Sequence, residues 1–237
     1  MDYAAENELN VYGHTLAWHS QTPAWFFQDD EGNDLAPDAL RQRLHDHIFN
    51  VAQALSDEYG AFGSDGNPLV AFDVVNEVVN DGTSNPDGMR ESKWYQILGE
   101  EFVDDAFQYA NEAFNDEYAA EGVEHPVTLF INDYNTEQTG KRARYKALVE
   151  RLIARDVPID GVGHQFHVAL STPVSSLDDA IADFEGIETA SGRPLVQAVT
   201  ELDVFVGSAD TAKSIDQATT TRPRSTRSAS TPRACSR

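Results

Sequence analysis

Cysteine is almost absent from this chain, because Cys235 is the only one and lies close to the C-terminus. No disulfide framework and no cysteine-based metal site can therefore form within the chain. No run approaches the roughly 18 consecutive apolar residues of a membrane-spanning helix. No basic segment followed by an apolar one indicates a signal peptide. These absences argue against a disulfide-stapled fold and against a membrane partner.

Basic residues are scarce as well. The 237 residues include 17 Lys or Arg against 40 Asp or Glu, which gives a formal net charge of −23. Such a surface repels a polyanion, so we expect no nucleic-acid partner. Because the acids are spread over segments with apolar periodicity, we interpret them as a solvated halophile-type surface that high salt would screen. An ordinary acidic protein is the alternative interpretation.

Five apolar runs rich in strand-forming residues recur along the chain, and a helical pattern follows each of them. The runs are residues 9–18, 68–77, 127–134, 158–168 and 194–205, and the helical patterns cover 38–59, 93–118, 137–155, 176–191 and a stretch beginning near 209. Strands that alternate with helices predict an α/β fold with a parallel sheet. The runs lack a dinucleotide-binding glycine fingerprint, which favours a (β/α) barrel over a doubly wound fold.

The number of these units predicts an incomplete barrel. A complete (β/α)8 barrel has eight units in typically about 250 residues, whereas this chain offers five in residues 1–216. The remaining residues, 217–237, contain five arginines and no acid, and they lack an apolar period. We therefore predict a partial barrel domain over 1–216 and a basic, disordered tail over 217–237.

Polar residues lie late in each apolar run. They are His14 and Trp18, Asn76 and Glu77, Asn132 to Asn135, Gln165 and His167, and Glu201 and Asp203. In a (β/α) barrel the C-terminal strand ends form the active-site face, so these side chains should converge there. Residues two apart on a strand share a face, which predicts that Glu201 and Asp203 point the same way.

Glu77 and Glu201 are the two carboxylates that we pair. Two facing carboxyl groups cleave glycosidic bonds by an inverting or a retaining route, depending on their separation. His167 could hydrogen-bond Glu201 and keep it ionised, with Asp203 orienting the imidazole. Strand-end glutamates also bind metals or act as lone bases, so a metal-dependent hydrolase is an alternative. The chain contains no HExxH motif, and we predict no metal and no cofactor.

Five motifs in order along the chain resemble those of the glycoside hydrolase family 10 endo-β-1,4-xylanases. They read GHTLAWHSQTPAWF (13–26), AFDVVNEVVND (71–81), FINDYN (130–135), GVGHQFH (161–167) and VTELDV (199–204). The resemblance implies a (β/α)8 barrel whose strands three to seven are these five runs. It also implies endo-hydrolysis of xylan with retention of configuration, and an extracellular location for the full-length parent protein.

The resemblance also implies roles for ten residues of this sequence. Glu77 would be the acid/base and Glu201 the nucleophile, about 5–5.5 Å apart as retention requires. His167 would hold Glu201, and Asp203 would support His167. The side chains that the resemblance assigns to xylan binding are His14, Trp18, Gln21, Asn76, Tyr134 and Gln165.

Two departures from the family pattern qualify this expectation. The family's strands one, two and eight have no counterpart in the sequence, and the chain ends in TTTRPRSTRSASTPRACSR (219–237). We attribute this ending to a frameshift, which sequencing of the underlying DNA would test; a natural arginine–serine tail is the alternative. The second hypothesis for function is therefore a catalytically dead barrel fragment that binds xylan weakly, with little or no activity when made alone.

Overall fold

Five parallel strands form the main sheet of the computed structural model, which describes residues 1–207 and 211–220. They are β1 (Val11–Trp18), β2 (Leu69–Asn76), β3 (Thr128–Asp133), β4 (Gly161–His164) and β6 (Val196–Val199), in the order β1-β2-β3-β4-β6. Two short strands, β5 (His167–Ala169) and β7 (Asp203–Phe205), pair in parallel in a second sheet. Each strand of the main sheet lies within one of the five predicted runs, and each is added beside the preceding one.

Helices lie before, between and after the strands along the chain. They are α1 (Asp2–Glu6), α2 (Pro37–Tyr59), α3 (Lys93–Leu98), α4 (Glu101–Asn111), α5 (Thr139–Ala154), α6 (Val174–Ala182) and α7 (Thr211–Thr220). A 3₁₀ turn (Ala24–Phe27) follows β1, and a π-helical segment (Glu112–Glu117) continues α4. Within residues 1–207 and 211–220, no helix combines the length and the apolar character that a membrane crossing needs.

The core lies between the helices and one face of the main sheet. Leu40, Leu44, Ile48 and Ala52 of α2 are fully buried at a spacing of four residues, which places them on one helix face. Pro37 occupies the first turn of α2, where its missing N–H costs nothing, and Gly60 ends the helix with a φ of +86°. Burial of each large aliphatic side chain contributes about 1.5–3 kcal/mol.

Two of the predicted strands are each broken into two in the structure, so the prediction of continuous strands over 158–168 and 194–205 is wrong. The first run divides into β4 and β5, and the second divides into β6 and β7. Phe166 breaks the first run, because its φ of +55° is incompatible with an extended strand. Glu201 lies in the connection between β6 and β7, so it does not share a strand with Asp203.

Two predicted helices also differ from their sequence patterns, because one is broken and the other ends early. The helix predicted over 93–118 breaks at Gly99, whose φ of +69° ends α3 in a left-handed conformation. The helix predicted over 176–191 ends at Ala182. The predicted tail begins at residue 217, but residues 217–220 belong to helix α7. From residue 221 onward the tail lies outside the described residues, so its disorder and the frameshift stay predictions.

The sheet interior is tightly packed at Gly161, the first residue of β4. A Cβ at Gly161 would lie 2.4 Å from Cε1 of Phe130 on β3. The Phe130 ring in turn packs against Tyr12 of β1, with 5.1 Å between ring centroids. Glycine at position 161 therefore leaves room for the Phe130 ring, which packs against Tyr12.

We expect Gly161→Ala to lower the free energy of unfolding by about 1–3 kcal/mol, because the added methyl group overpacks the interior. Urea denaturation monitored by circular dichroism would measure this change. Gly140→Ala is the matched control, since a Cβ there meets only Arg144 Nη1 at 3.5 Å. Alanine at this helical position should be neutral or stabilising. Equal stabilities of the two variants would contradict the packing argument.

Candidate active site

Glu77 follows β2 directly and adopts a left-handed backbone conformation with a φ of +58°. Its backbone N–H donates to Asn132 O at 2.8 Å, which fixes the turn against β3. Trp18 Nε1 donates to Glu77 Oε2 at 2.9 Å, and Gln165 Nε2 donates to Glu77 Oε1 at 3.3 Å. The His19 imidazole lies 3.8 Å from Glu77 Oε2. Both carboxyl oxygens are thus held by uncharged N–H donors.

Glu201 is held by donors from two other strands. Asn132 Nδ2 of β3 donates to Glu201 Oε1 at 2.8 Å, and His167 Nε2 of β5 lies 3.1 Å from Glu201 Oε2. The Glu201 side chain is 32% exposed, against 16% for that of Glu77. A molecule in the surrounding cavity can therefore reach the Glu201 carboxylate.

A buried chain of three side-chain amides connects the two carboxylates. Asn76 Oδ1 accepts from Gln165 Nε2 at 3.0 Å and from Asn132 Nδ2 at 3.2 Å. Through these amides a continuous path of hydrogen bonds runs from Glu77 to Glu201. Each amide is at most 2% exposed. An unpaired buried polar group costs about 1–3 kcal/mol, so these contacts hold the amides in one arrangement.

His167 lies between two acids. Its Nε2 contacts Glu201, and its Nδ1 forms a short hydrogen bond with Asp203 Oδ2. Burial lowers the pKa of His167, but the hydrogen bonds and negative charges of Asp203 and Glu201 outweigh burial and raise this pKa above its ordinary value. A protonated imidazole donates from both ring nitrogens, which matches two acceptors.

A second histidine lies on the opposite wall of the site. His14 Nδ1 lies 2.7 Å from Asp73 Oδ2, and Tyr12 donates to Asp73 Oδ1 at 2.7 Å. The hydrogen bond to Asp73 raises the pKa of His14, although burial opposes it. The His14 ring packs edge-on against Trp18, with centroids 6.1 Å apart.

Two cavities adjoin these residues. One, of about 450 Å³, is lined by Tyr12, His14, Asp73, Ala198, Val199, Thr200 and Glu201. Residues of β1 and β6, at opposite ends of the sheet order, line this cavity together, so the sheet curls around it. The other cavity, of about 370 Å³, is lined by side chains that include His14, Trp18, Gln21, Trp25 and Trp94.

The structure places the remaining sequence-predicted residues around this centre. Gln21 is exposed at the rim of the smaller cavity, beside Trp18. The Tyr134 hydroxyl accepts from Arg90 Nη2 at 2.7 Å and donates to Asp81 in a short hydrogen bond. Burial and the Asp81 contact raise the pKa of Tyr134 to about 12. Tyr134 directly follows β3 and contacts the loop that follows Glu77.

Several residues of the site carry no role in the sequence prediction. Asn132 stands among the polar strand ends, but its contact with Glu201 depends on the register of β3. Thr200 Oγ1 donates to Asn132 Oδ1 at 2.9 Å and so orients that amide. Asp73 is an isolated acid in an apolar run, which is the signal that could have identified it. Over the described part of the chain, no group of three or more His, Cys, Asp or Glu is arranged to hold a metal ion.

Known proteins with similar sequences indicate the family of this chain. The sequence model of the family described as Glycosyl hydrolase family 10 matches residues 1–235. The chain belongs to glycosyl hydrolase family 10. Over 207 residues, or 86% of this chain, it is 40% identical to Endo-1,4-beta-xylanase A of Thermoanaerobacterium saccharolyticum and 40% identical to Exoglucanase XynX of Acetivibrio thermocellus.

A solved structure of a family 10 relative superposes on most of the chain. It is the complex of a mutant of TsXylA, an intracellular xylanase from Thermoanaerobacterium saccharolyticum, with xylotriose. The superposition has a TM-score of 0.77 at 35% identity and covers 92% of this chain and 61% of that chain. The chain spans 16% and 17% of the two curated relatives. Family membership implies a (β/α)8 barrel, to which the parallel main sheet belongs.

Asp203→Asn should lower the pKa of His167 in this family 10 chain, because it removes a negative charge and weakens the hydrogen bond at Nδ1. A proton NMR titration of the imidazole Cε1–H would measure the midpoint in the parent chain and in the variant. The His167 pKa is raised on folding, so its stabilising contribution is complete below about 6.5 and fades as pH rises through the folded-state pKa. An unchanged midpoint in Asp203→Asn would contradict this account.

Proposed function

We propose that this site hydrolyses internal β-1,4-xylosidic bonds of xylan by a retaining double displacement. The buried amide chain between Glu77 and Glu201 is the observation that carries the proposal. It links two carboxylates, each with both oxygens occupied by donors, and their environments differ. Glu77 is held by uncharged donors, whereas Glu201 contacts a histidine of raised pKa.

In the first step Glu201 attacks the anomeric carbon, and a covalent glycosyl ester forms at its carboxylate. The bond from the anomeric carbon to the leaving oxygen breaks, and Glu77 donates its proton to that oxygen. His167 stabilises the attacking carboxylate through Nε2, and Asp203 fixes the imidazole through Nδ1. Asn132 holds the other oxygen of Glu201.

In the second step Glu77, now a carboxylate, takes a proton from water, and the resulting nucleophile attacks the anomeric carbon. The ester bond to Glu201 breaks, and two inversions together retain the configuration. Trp18 and Gln165 hold the Glu77 carboxyl group in both steps. Glu77 therefore serves as acid and then as base without changing position.

The cavity walls support xylan binding by the remaining predicted residues. His14 is exposed, lines both cavities and offers a polar ring atom to sugar hydroxyls. Asn76 and Gln165 are buried beside the carboxylates, and their contact with substrate stays a prediction. Trp18 offers an aromatic face, and Gln21 and Tyr134 extend the surface on either side. No cofactor enters the mechanism. The five strands of the main sheet correspond, in this proposal, to strands three to seven of the family barrel. An extracellular location stays an expectation, since the TsXylA relative is described as intracellular.

Exposed apolar residues along β6 favour a second candidate function, xylan binding without turnover. Val196 and Val199 are 47% and 50% exposed, and β6 is the last strand in the order of the main sheet. β6 pairs with β4 along one side, and among the described residues no strand pairs along its other side, so the wall that carries Thr200 and Glu201 is an open sheet edge. A site in that state could bind xylan while Glu201 is held too loosely to react.

Release of reducing sugar from xylan, assayed at low and at molar salt, tests the proposed activity. Glu77→Gln should lower kcat by about 10²–10⁴-fold, as expected for loss of a general acid/base, and Glu201→Gln should abolish turnover. Glu117→Gln is the matched control, because Glu117 is exposed in the π-helical segment. Proton NMR of the first product should show the β-anomer, as retention requires.

Other outcomes separate the alternatives. Saturable binding of xylohexaose without product would support the binding function. Activity that a chelator removes would favour a metal-dependent hydrolase, and preferential turnover of cello-oligosaccharides would overturn xylan as the substrate. Full activity of Glu201→Gln would overturn the assignment of the nucleophile.

A further inference from the structure

The segment that follows Glu77 is held by an unusual set of contacts. All five backbone carbonyls of residues 77–81 accept hydrogen bonds, and four of these bonds come from cationic side chains. The donors, in order from residue 77 to residue 81, are Arg90 Nε at 2.8 Å, the Arg90 backbone N–H at 2.7 Å, Lys141 Nζ at 2.9 Å, Arg144 Nε at 3.0 Å and Arg144 Nη2 at 2.9 Å. We name residues 77–81 the acid/base segment.

Arg90 contacts the acid/base segment at both ends. Its Nε donates to the carbonyl of Glu77, and its Nη2 donates to the Tyr134 hydroxyl at 2.7 Å and lies 3.5 Å from Asp81 Oδ2. The guanidinium also lies over the Tyr134 ring, 5.7 Å from its centroid. Because a guanidinium is planar and rigid, these contacts fix the Glu77 carbonyl relative to Tyr134.

Lys141 supports the middle of the acid/base segment. Its ammonium group is 2% exposed and donates to Val79 O, Asp81 Oδ1 and Asp133 Oδ1, each at 2.9 Å. Asp133 Oδ2 accepts the Val79 N–H at 2.9 Å. Burial raises the pKa of Asp133 to about 6, and the contacts with Lys141 and the Val79 N–H oppose this rise.

Glu77 needs such support because of its backbone. A non-glycine residue in the left-handed region costs roughly 1–2 kcal/mol and persists only where its surroundings impose it. The Glu77 N–H is fixed by Asn132 O and its carbonyl by Arg90. Residues 1–216 contain only twelve Lys or Arg, and three of them hold this one segment.

We propose that Arg90 is a positioning residue that holds Glu77 in its reactive conformation through the Glu77 backbone carbonyl. This inference rests on the proposed function, in which Glu77 transfers the proton. Arg90 acts on proton transfer at the leaving oxygen, and it has no contact with Glu201. A leaving group that departs as a stable anion needs no proton and is insensitive to the position of Glu77.

Two substrates separate these steps. Xylohexaose has a poor leaving group and needs the Glu77 proton. In 2,4-dinitrophenyl 2-deoxy-2-fluoro-β-xylobioside, Glu201 forms a bond to the anomeric carbon while dinitrophenolate leaves as an anion, so a stable ester accumulates. Mass spectrometry measures the rate at which this ester forms on Glu201. Hydrogen exchange of the peptide that covers residues 77–81 reports the backbone directly.

Arg90→Gln should lower the rate of xylohexaose hydrolysis by about 10²-fold, the size of effect that a misplacement near 1 Å produces. It should leave the rate of Glu201 labelling within about threefold and accelerate exchange in the acid/base segment. Arg90→Lys should recover part of the hydrolysis, since an ammonium group can still donate to the Glu77 carbonyl. Arg155→Gln is the matched control, because Arg155 pairs with Glu100 and Asp104 at a distance from the site.

The outcomes distinguish this inference from the proposed function. Equal losses of hydrolysis and labelling in both Arg90 variants would overturn a role specific to Glu77. Unchanged exchange over residues 77–81 in Arg90→Gln would overturn the inference even if the parent chain proved inactive. Failure of the parent chain to form the ester on Glu201 would overturn the proposed function instead, while the exchange measurement would still decide the role of Arg90.

Discussion

The amide chain from Gln165 through Asn76 to Asn132 is the interaction on which the geometry of the site depends. Gln165 directly follows β4, and Asn76 and Asn132 belong to β2 and β3, so the chain forms only when three strands are in register. Asn76 pairs with Asn132, and Asn132 pairs with Gly163, in neighbouring ladders of the main sheet. A Cβ at position 163 would lie 2.3 Å from Asn132 Oδ1, so glycine there leaves room for the amide. A slip of one residue in any strand would leave these amides unpaired.

Breaks in two strands allow the side chains of Gln165 and Glu201 to contact residues of neighbouring strands. Side chains in an extended strand stand roughly perpendicular to the sheet, on alternate faces. The backbone leaves strand geometry after His164 and after Val199. Gln165 can therefore contact Asn76 and Glu77, and Glu201 can face Asn132 and His167. The short pair formed by β5 and β7 then sets His167 opposite Asp203, so the loss of regular strand structure is compensated locally.

The spacing of apolar residues and the polar residues at strand ends predict much of the fold and of the site. The five apolar runs predict the five strands of the main sheet, and the polar residues at their ends predict which side chains meet. The breaks at Phe166 and Glu201 were not predictable, because apolar residues on both sides mimic a continuous strand. Arg90 follows Glu77 by thirteen residues in an irregular loop, where no period relates one side chain to another. Its contact with the Glu77 carbonyl depends on the tertiary path of that loop.

The positions of the few cations explain how a highly acidic chain can preserve the geometry of its site despite repulsion between surface acids. Surface acids repel one another over distances that salt screens, about 10 Å at 0.1 M ionic strength. Lys141 and Asp133 are both buried and in contact, so dissolved ions screen their attraction far less. Added salt therefore relieves repulsion across the exterior while the contacts behind Glu77 keep their strength. Because the two sets of charges respond differently, the surface can become highly acidic while the geometry that positions Glu77 is preserved.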